Sequence, residues 1–222
     1  MALCIAELHR LQAFRVWCFY MNILPELIIF AVSAAFTPGP NNIMIMASGV
    51  NFGLRASIPH VLGICFGFPT MFLATGFGLG ALFIAYPIFH QTIKVVGLAY
   101  LSYLAWQIAT SGKVEGGKEV SKPLTFVQAA IFQWVNPKAW IMGTSALAAF
   151  TQVGQPLVPQ VLLIGVVFFA MTFPSAGVWL VFGSALKDVL ARPKIRLGFN
   201  VSMAFLLLWS MRHSFVEVWS YF

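Results

Sequence analysis

Six long apolar runs, separated by short polar gaps, make up most of the chain. Each run falls within or above the range of about 17–25 residues that a helix needs to cross a bilayer. None alternates apolar and polar positions as a membrane-spanning strand does, so a β-barrel is not expected. The pattern predicts an all-α polytopic membrane protein with six transmembrane helices, over residues 23–50, 58–86, 93–109, 126–150, 158–186 and 197–215.

The composition agrees with this prediction. The 222 residues are 60% hydrophobic and 9% charged, with a mean hydropathy of +0.87, whereas soluble domains are about 45–50% apolar and about 25% charged. The net charge of +7 does not indicate nucleic acid, because the basic residues form no stripe with aromatics. No metal or cofactor is expected, since the cysteines and histidines are scattered: Cys4, Cys18 and Cys65, and His9, His60, His90 and His213.

The positive charges predict an orientation. The first, third and fifth gaps hold eight Lys and Arg residues, whereas the opposite side holds Lys94 and Arg212. The positive-inside rule then places these three gaps in the cytoplasm and both termini in the periplasm. Residues 1–20 oppose this, because Arg10 and Arg15 would lie outside. We therefore expect residues 1–20 to be an extension from a mis-called start, with translation beginning at Met21.

Two of the runs contain a proline motif at their centre. The first run is interrupted by TPGPNN at residues 37–42, and the fourth by NPK at residues 136–138. Proline inside a helix removes a hydrogen bond and clashes with the preceding turn, at a cost of about 3 kcal/mol or more. At membrane depth, irregular backbone persists only where protein buries it or where it lines a cavity. The motifs therefore predict two broken helices.

The two halves of the chain carry matching motifs. Pro38 and Pro137 lie 99 residues apart, and two further pairs lie 105 residues apart: FPT at 68–70 with FPS at 173–175, and FG at 77–78 with FG at 182–183. These matches predict a first three-helix repeat over residues 21–110, a cytoplasmic linker over 111–124 and a second repeat over 125–222. Because each repeat has an odd number of helices, the second repeat starts on the other side of the membrane and inserts with the opposite orientation. This arrangement is typical of secondary transporters.

The two breaks are the candidate substrate site. A helix that begins after a break offers unpaired N–H groups and a partial positive charge to a carboxylate, and carbonyls freed before each proline are expected to accept from an ammonium group. These are the groups that an amino-acid zwitterion requires. The predicted substrate-binding residues are Thr37, Pro38, Gly39, Pro40, Asn41, Asn42, Asn136, Pro137 and Lys138.

Each of these features has an alternative interpretation. The prolines could be simple kinks, and Asn41 or Asn42 could join neighbouring helices by hydrogen bonds. Lys138 could extend its ammonium group to a membrane interface.

TPGPNN, NPKAW and the three-plus-three plan resemble the LysE/RhtB family of amino-acid exporters, from about Met21 to the C-terminus. TPGPNNI, YLSYLAWQIATS and GTSALAAF are most similar to the branch that exports cysteine and O-acetylserine. The resemblance implies an inner-membrane secondary transporter, not an enzyme, that exports small neutral or polar amino acids or derivatives (cysteine, O-acetylserine, threonine or homoserine) by proton antiport. The implied partners are the amino-acid substrate and the lipid bilayer, and a homodimer is left open.

The sequence departs from the family in its fifth run. Many members carry an acidic residue there, but FFAMTFPSAGVW has none. The proton carrier is therefore unidentified. Export of lysine is disfavoured, because no buried carboxylate is expected to bind its cationic side chain. Two other functions stay open: a membrane thiol relay, which needs a second cysteine within the spans beside Cys65, and a membrane subunit that does not itself transport.

Overall fold

The structure is a computed structural model that describes residues 23–79, 85–111, 114–115, 118–119, 122–152 and 154–219. The expected start at Met21 lies outside these residues. The described chain is helical apart from a short antiparallel ribbon, which confirms the predicted all-α class. Its elements are α1 Ile23–Phe36, α2 Pro40–Ala56, α3 Ile58–Ala74 followed by a π-helical turn Thr75–Leu79, α4 Pro87–Thr110, β1 Val114–Glu115, β2 Lys118–Glu119, α5 Phe126–Val135, α6 Pro137–Phe150, α7 Leu157–Ala185, α8 Pro193–Ser210 and α9 Arg212–Trp219.

Two stretches of the described chain are long and apolar enough to cross a membrane without a sharp bend. They are Ile58–Gly78, which is α3 with its π-helical turn, and α7. Helices α1 and α2 make a third span if the bent pair is counted as one. Large apolar side chains such as Ile29, Trp106 and Val189 point outward. An exposed apolar surface of this kind is that of a protein in contact with lipid.

The first predicted break is confirmed. Helix α1 ends at Phe36, and Gly39 is fully extended (φ −172°, ψ −179°) before α2 begins at Pro40. Pro38 disfavours helical backbone in the residue before it, whereas Pro40 occupies the first helical turn, where its missing N–H is no loss. The axes of α1 and α2 differ by 53° as a result.

The second predicted break is also confirmed. Helix α5 ends at Val135, and Asn136 is extended (φ −81°, ψ 108°) because Pro137 follows it. The Asn136 Oδ1 atom accepts a hydrogen bond of 3.1 Å from the backbone N–H of Lys138, which caps the start of α6. The break is thus an ordered turn between two helices.

Of the other two motif pairs, FPT and FPS share their local structure, whereas the two FG motifs do not. Pro69 and Pro174 both lie inside continuous helices, α3 and α7. The FG pair at 77–78 lies in the π-helical turn, where Gly78 has a φ of +126°, but the FG pair at 182–183 lies within α7. The two FG motifs therefore do not mark equivalent backbone.

Close helix pairs form the core. Helix α2 packs mainly on α7, α3 packs on α5 and α7, and α4 packs on α8. Glycines allow these approaches: a Cβ at Gly183 would overlap the Met46 carbonyl group, and one at Gly67 would lie 2.6 Å from the Ala130 Cα. Small residues at helix contacts are usual in membrane proteins, because association there depends on close packing.

A buried amide pair joins α2 to α8. Asn51 and Asn200 exchange hydrogen bonds of 2.8 and 2.9 Å, and Asn200 also donates to the Ser111 carbonyl at 2.8 Å. The start of the third gap is thereby held close to the end of α2. Gly53, near that end, faces the Lys187 Nζ atom of the fifth gap, which would lie 3.7 Å from a Cβ there. Parts of the three basic gaps therefore lie at the same end of the molecule.

Candidate functional site

An open cleft of about 450 Å³ lies between the two helix breaks. This volume includes the solvent-facing mouth of the cleft. Its polar lining is Asn41, Asn42, Asn136, Lys138, Thr172 and Ser175, and its other lining residues are Ala34, Ala35, Gly39, Ile64, Phe68, Ala139, Met142 and Ala176.

Asn42 satisfies the carbonyls that the first break frees. Its Nδ2 atom donates to the carbonyls of Ala35 and Thr37, at 2.9 Å each. Because both partners are acceptors, the amide nitrogen must face them. The Oδ1 atom receives no hydrogen bond from the described residues and stays available as an acceptor in the cleft.

Helix α7 supplies hydroxyl groups to the same cleft. Ser175 Oγ donates to the Ala35 carbonyl at 2.8 Å, and Thr172 Oγ1 donates to the Phe168 carbonyl at 2.7 Å. Our site prediction missed both residues. The FPS motif contains Ser175 and was the available signal, but the sequence alone did not indicate that α7 lies against the first break.

Lys138 connects the two breaks. Its Nζ atom donates to the Thr37 carbonyl, so the ammonium group reaches the first break instead of extending to an interface. Gly39 makes room for it, because a Cβ at position 39 would lie 2.6 Å from the Lys138 Cδ. In the described part of the chain, no acidic side chain lines the cleft beside Lys138.

The start of α2 is open to a ligand, whereas the start of α6 is capped. Gly39 has no side chain to accept from the first N–H groups of α2. The first turn of a helix leaves these donors without helical partners and carries a partial positive charge. Together with Lys138, the start of α2 provides a positive, donor-rich end of the cleft that suits a carboxylate.

Asn41 has a structural partner. It exchanges hydrogen bonds of 2.8 and 2.9 Å with the side chain of Gln133, which is fully buried in α5. Gln133 also donates to the Ala129 carbonyl. Asn41 therefore joins α2 to α5, as one of our alternatives proposed, while it also lines the cleft.

We expect Asn41→Ala to destabilise the protein by about 1–3 kcal/mol, because it leaves the buried Gln133 Oε1 atom without its donor and removes one of the two acceptors of Gln133 Nε2. The Asn41→Leu/Gln133→Leu double variant should lose less stability than Asn41→Ala, since it removes both polar groups. Thermal unfolding in detergent measures the difference. The control is Gln155→Ala at an exposed position. Equal unfolding midpoints for Asn41→Ala and the control would show that the amide pair contributes no stability.

The structure brings together some of the predicted site residues. Gly39, Asn41, Asn42, Asn136 and Lys138 line the cleft. Thr37 takes part through its carbonyl, while its side chain is exposed. The prolines do not line the cleft and instead shape the breaks: Pro38, Pro40 and Pro137.

Apolar helices that break around a polar cleft are the architecture of secondary transporters, in which half-helix ends face the substrate. The fold and the cleft are thus those of a membrane protein with a polar site between two broken helices. The family model of the LysE type translocator matches residues 32–209. The chain belongs to this translocator family, whose members are transporters and not enzymes.

Several curated relatives align with part of the chain. The "Cysteine/O-acetylserine efflux protein" of Escherichia coli strain UTI89 is 34% identical over 130 residues, which cover 58% of this chain and 66% of the relative. The protein of the same name from Shigella sonnei strain Ss046 gives the same values. The chain thus spans slightly less than two thirds of the length of these relatives. No solved structure matches it.

The described residues add nothing in favour of a thiol relay. Cys65 is buried in α3 and forms no disulfide, and Cys4 and Cys18 lie outside the described residues. No group of histidine, cysteine or acidic side chains suited to a metal ion occurs in the part of the chain that the structure describes.

Proposed function

We propose that the protein exports small neutral or polar amino acids or their derivatives across the inner membrane and binds them in the cleft between the two breaks. Cysteine and O-acetylserine, which the names of the relatives state, are the first candidates. The observation that carries the proposal is the hydrogen bond from Lys138 to the Thr37 carbonyl. It joins a cation of one half of the chain to freed backbone of the other.

Binding of a zwitterion exchanges partners at this contact. The substrate carboxylate recruits the Lys138 ammonium and the N–H groups at the start of α2. Lys138 then leaves the Thr37 carbonyl, which accepts from the substrate ammonium together with Asn42 Oδ1. We expected this carbonyl to be free, but it accepts from both Lys138 and Asn42. The substrate ammonium would therefore replace the Lys138 ammonium at this carbonyl.

The lining of the cleft favours small side chains without positive charge. Ile64, Phe68 and Met142 form apolar walls. With no acidic side chain among the described lining residues, a cationic substrate side chain would lack a counter-charge. The proposed selectivity is therefore for neutral substrates such as cysteine, O-acetylserine, threonine or homoserine, and against lysine.

The helix packing supports six spans arranged as two inverted repeats. If the halves are exchanged, the contact of the first span with the fifth (α2 with α7) has its counterpart, at the level of whole spans, in that of the fourth span with the second (α5 with α3). The two contacts use different half-helices, since α2 follows its break whereas α5 precedes its own. The contact of the third span with the sixth (α4 with α8) corresponds to itself. A pseudo-twofold axis in the membrane plane would relate whole spans in this way.

We propose the orientation and energy source as follows. The first, third and fifth gaps face the cytoplasm, because they share one end and carry most of the positive charge. Both termini then lie in the periplasm. Export is driven by proton antiport, as the resemblance to the exporter family implies.

Transport by inside-out vesicles tests the proposal. With the vesicle lumen more acidic than the medium, we expect saturable uptake of labelled L-cysteine, O-acetyl-L-serine, L-threonine or L-homoserine, and no uptake of L-lysine. A protonophore should abolish the uptake. Vesicles without the protein are the control. Folded protein that takes up none of the four would overturn the export function, whereas uptake that survives the protonophore would overturn proton coupling alone.

A further inference from the structure

A second cavity, of about 350 Å³ including its open mouth, lies beside the start of α3, between α2, α4 and residues 122–124. His60 lines it and is 1% exposed. Neither Nδ1 nor Nε2 of this ring has a hydrogen-bond partner among the described residues. The other polar groups around the cavity are Ser48, Gln107, Ser111 and Lys122.

An imidazole buried without partners is unusual. Buried polar side chains nearly always have a hydrogen-bond partner, because the lost contact with water is otherwise uncompensated. A neutral imidazole presents one donor and one acceptor. The described part of the chain satisfies neither in His60, so the ring is suited to a ligand that can both accept and donate a hydrogen bond.

The second cavity adjoins the central cleft along α3. His60, Ile64 and Phe68 are spaced by four residues and share one helix face, and Ile64 and Phe68 line the cleft. One such step advances about 6 Å along a helix. The cavity therefore lies about one helical turn from the cleft, on the side of the basic gaps.

Helix α2 repeats this arrangement. Asn41 lines the cleft, whereas Met44 and Ser48 line the second cavity, at spacings of three and four residues. Met44 and Ile64 are each 3% exposed and belong to the same apolar cluster, so we place the boundary between the two spaces at these side chains. The same two helix faces thus carry a polar site, an apolar boundary and a second polar site in succession.

We propose that the cavity around His60 is a second binding site for the transported amino acid, between the central cleft and the basic end of the molecule. This rests on the proposed export function. The imidazole N–H donates to the substrate carboxylate, with Lys122 adding positive charge. A substrate would pass from this site to the cleft when Met44 and Ile64 move apart.

Imidazole NMR tests for binding at this site. Protein labelled with ¹⁵N-histidine is placed in lipid nanodiscs, and the His60 signals are assigned by their loss in His60→Gln. Adding L-cysteine or O-acetyl-L-serine should shift these signals with saturation. The shift should persist in Lys138→Met, which disables the central cleft, and that persistence separates direct binding from a change relayed from the cleft.

The variant His60→Phe separates a binding role from a structural one. Phenylalanine fills a similar volume without unpaired polar atoms, so we expect a higher thermal unfolding midpoint but an apparent KM for uptake raised about tenfold. His60→Gln, whose amide can both donate and accept, should restore part of the affinity. A merely structural histidine would not combine higher stability with weaker uptake.

The outcomes separate this inference from the export function. If the vesicles take up none of the four substrates, the export function fails, and the second site, which rests on it, fails as well. If uptake holds while the His60 signals stay fixed and His60→Phe transports like the wild type, the second site alone is overturned. The cavity would then hold solvent only.

Discussion

Lys138→Met is expected to lower uptake by about 100-fold, which corresponds to about 3 kcal/mol of lost interaction between a partly buried carboxylate and its cation. Methionine is unbranched like lysine and only one atom shorter, so it keeps most of the volume of the side chain. The Thr37 carbonyl loses one donor but keeps Asn42, so the first break should stay ordered. The defect should therefore appear in vesicle uptake, while the thermal unfolding midpoint in detergent stays close to that of the wild type.

Lys194→Met is the matched control, because it makes the same substitution at an exposed lysine of α8 and should leave uptake unchanged. Lys138→Arg keeps the charge but adds a wider planar group against Gly39, where the space is already tight. We expect the uptake by Lys138→Arg to lie between that of the wild type and that of Lys138→Met. Wild-type uptake by Lys138→Met would show that the lysine only supports the break.

Local rules explain why both breaks were predictable. Pro38, Pro40 and Pro137 act on their own backbone and on the residue before each of them, so the sequence is sufficient to place an interruption. Asn136 was predictable for the same reason, since it both precedes a proline and caps the next helix. Whether the two breaks would face each other depends on packing across the two halves, and only the motif spacing indicated it.

The residues missed in the cleft depend on tertiary structure. Ser175 reaches the Ala35 carbonyl from 140 positions away, and Gln133 pairs with Asn41 across two helices. A hydroxyl or an amide in an apolar run does not reveal its partner. His60 appeared to be one of four scattered histidines, and only its burial beside a cavity distinguishes it.

The FG pairs show how identical dipeptides diverge. Gly78 adopts a φ of +126° with nothing within 4 Å of a built Cβ, whereas Gly183 lies in a regular helix against the backbone of Met46. The first glycine is required for its backbone conformation and the second for close contact. The sequence identifies a glycine at both positions, but not which of these two properties the fold uses.

Among the Gly→Ala substitutions in α7, Gly183→Ala is expected to cause the largest loss of stability. The new Cβ would overlap the Met46 carbonyl oxygen and lie 2.9 Å from its carbon. Overpacking costs about 1–3 kcal/mol when side chains can adjust, and a backbone carbonyl cannot rotate away. Helices α2 and α7 must separate, which also moves apart Asn42 and Ser175, the two side chains that donate to the Ala35 carbonyl. We expect a cost at or above the upper end of that range, measured by thermal unfolding and by the yield of monodisperse protein.

Gly177→Ala provides the control within the same helix. A Cβ at Gly177 meets nothing within 4 Å, so alanine should be neutral or stabilising by about 0.5–1 kcal/mol through its higher helix propensity. Shortening Met46 to alanine should not rescue Gly183→Ala, because the clash involves the backbone of Met46 and not its side chain. If Gly177→Ala and Gly183→Ala unfold at the same temperature, or if Met46→Ala restores stability, the close approach of α2 and α7 is wrong, and with it the placement of Ser175 in the cleft.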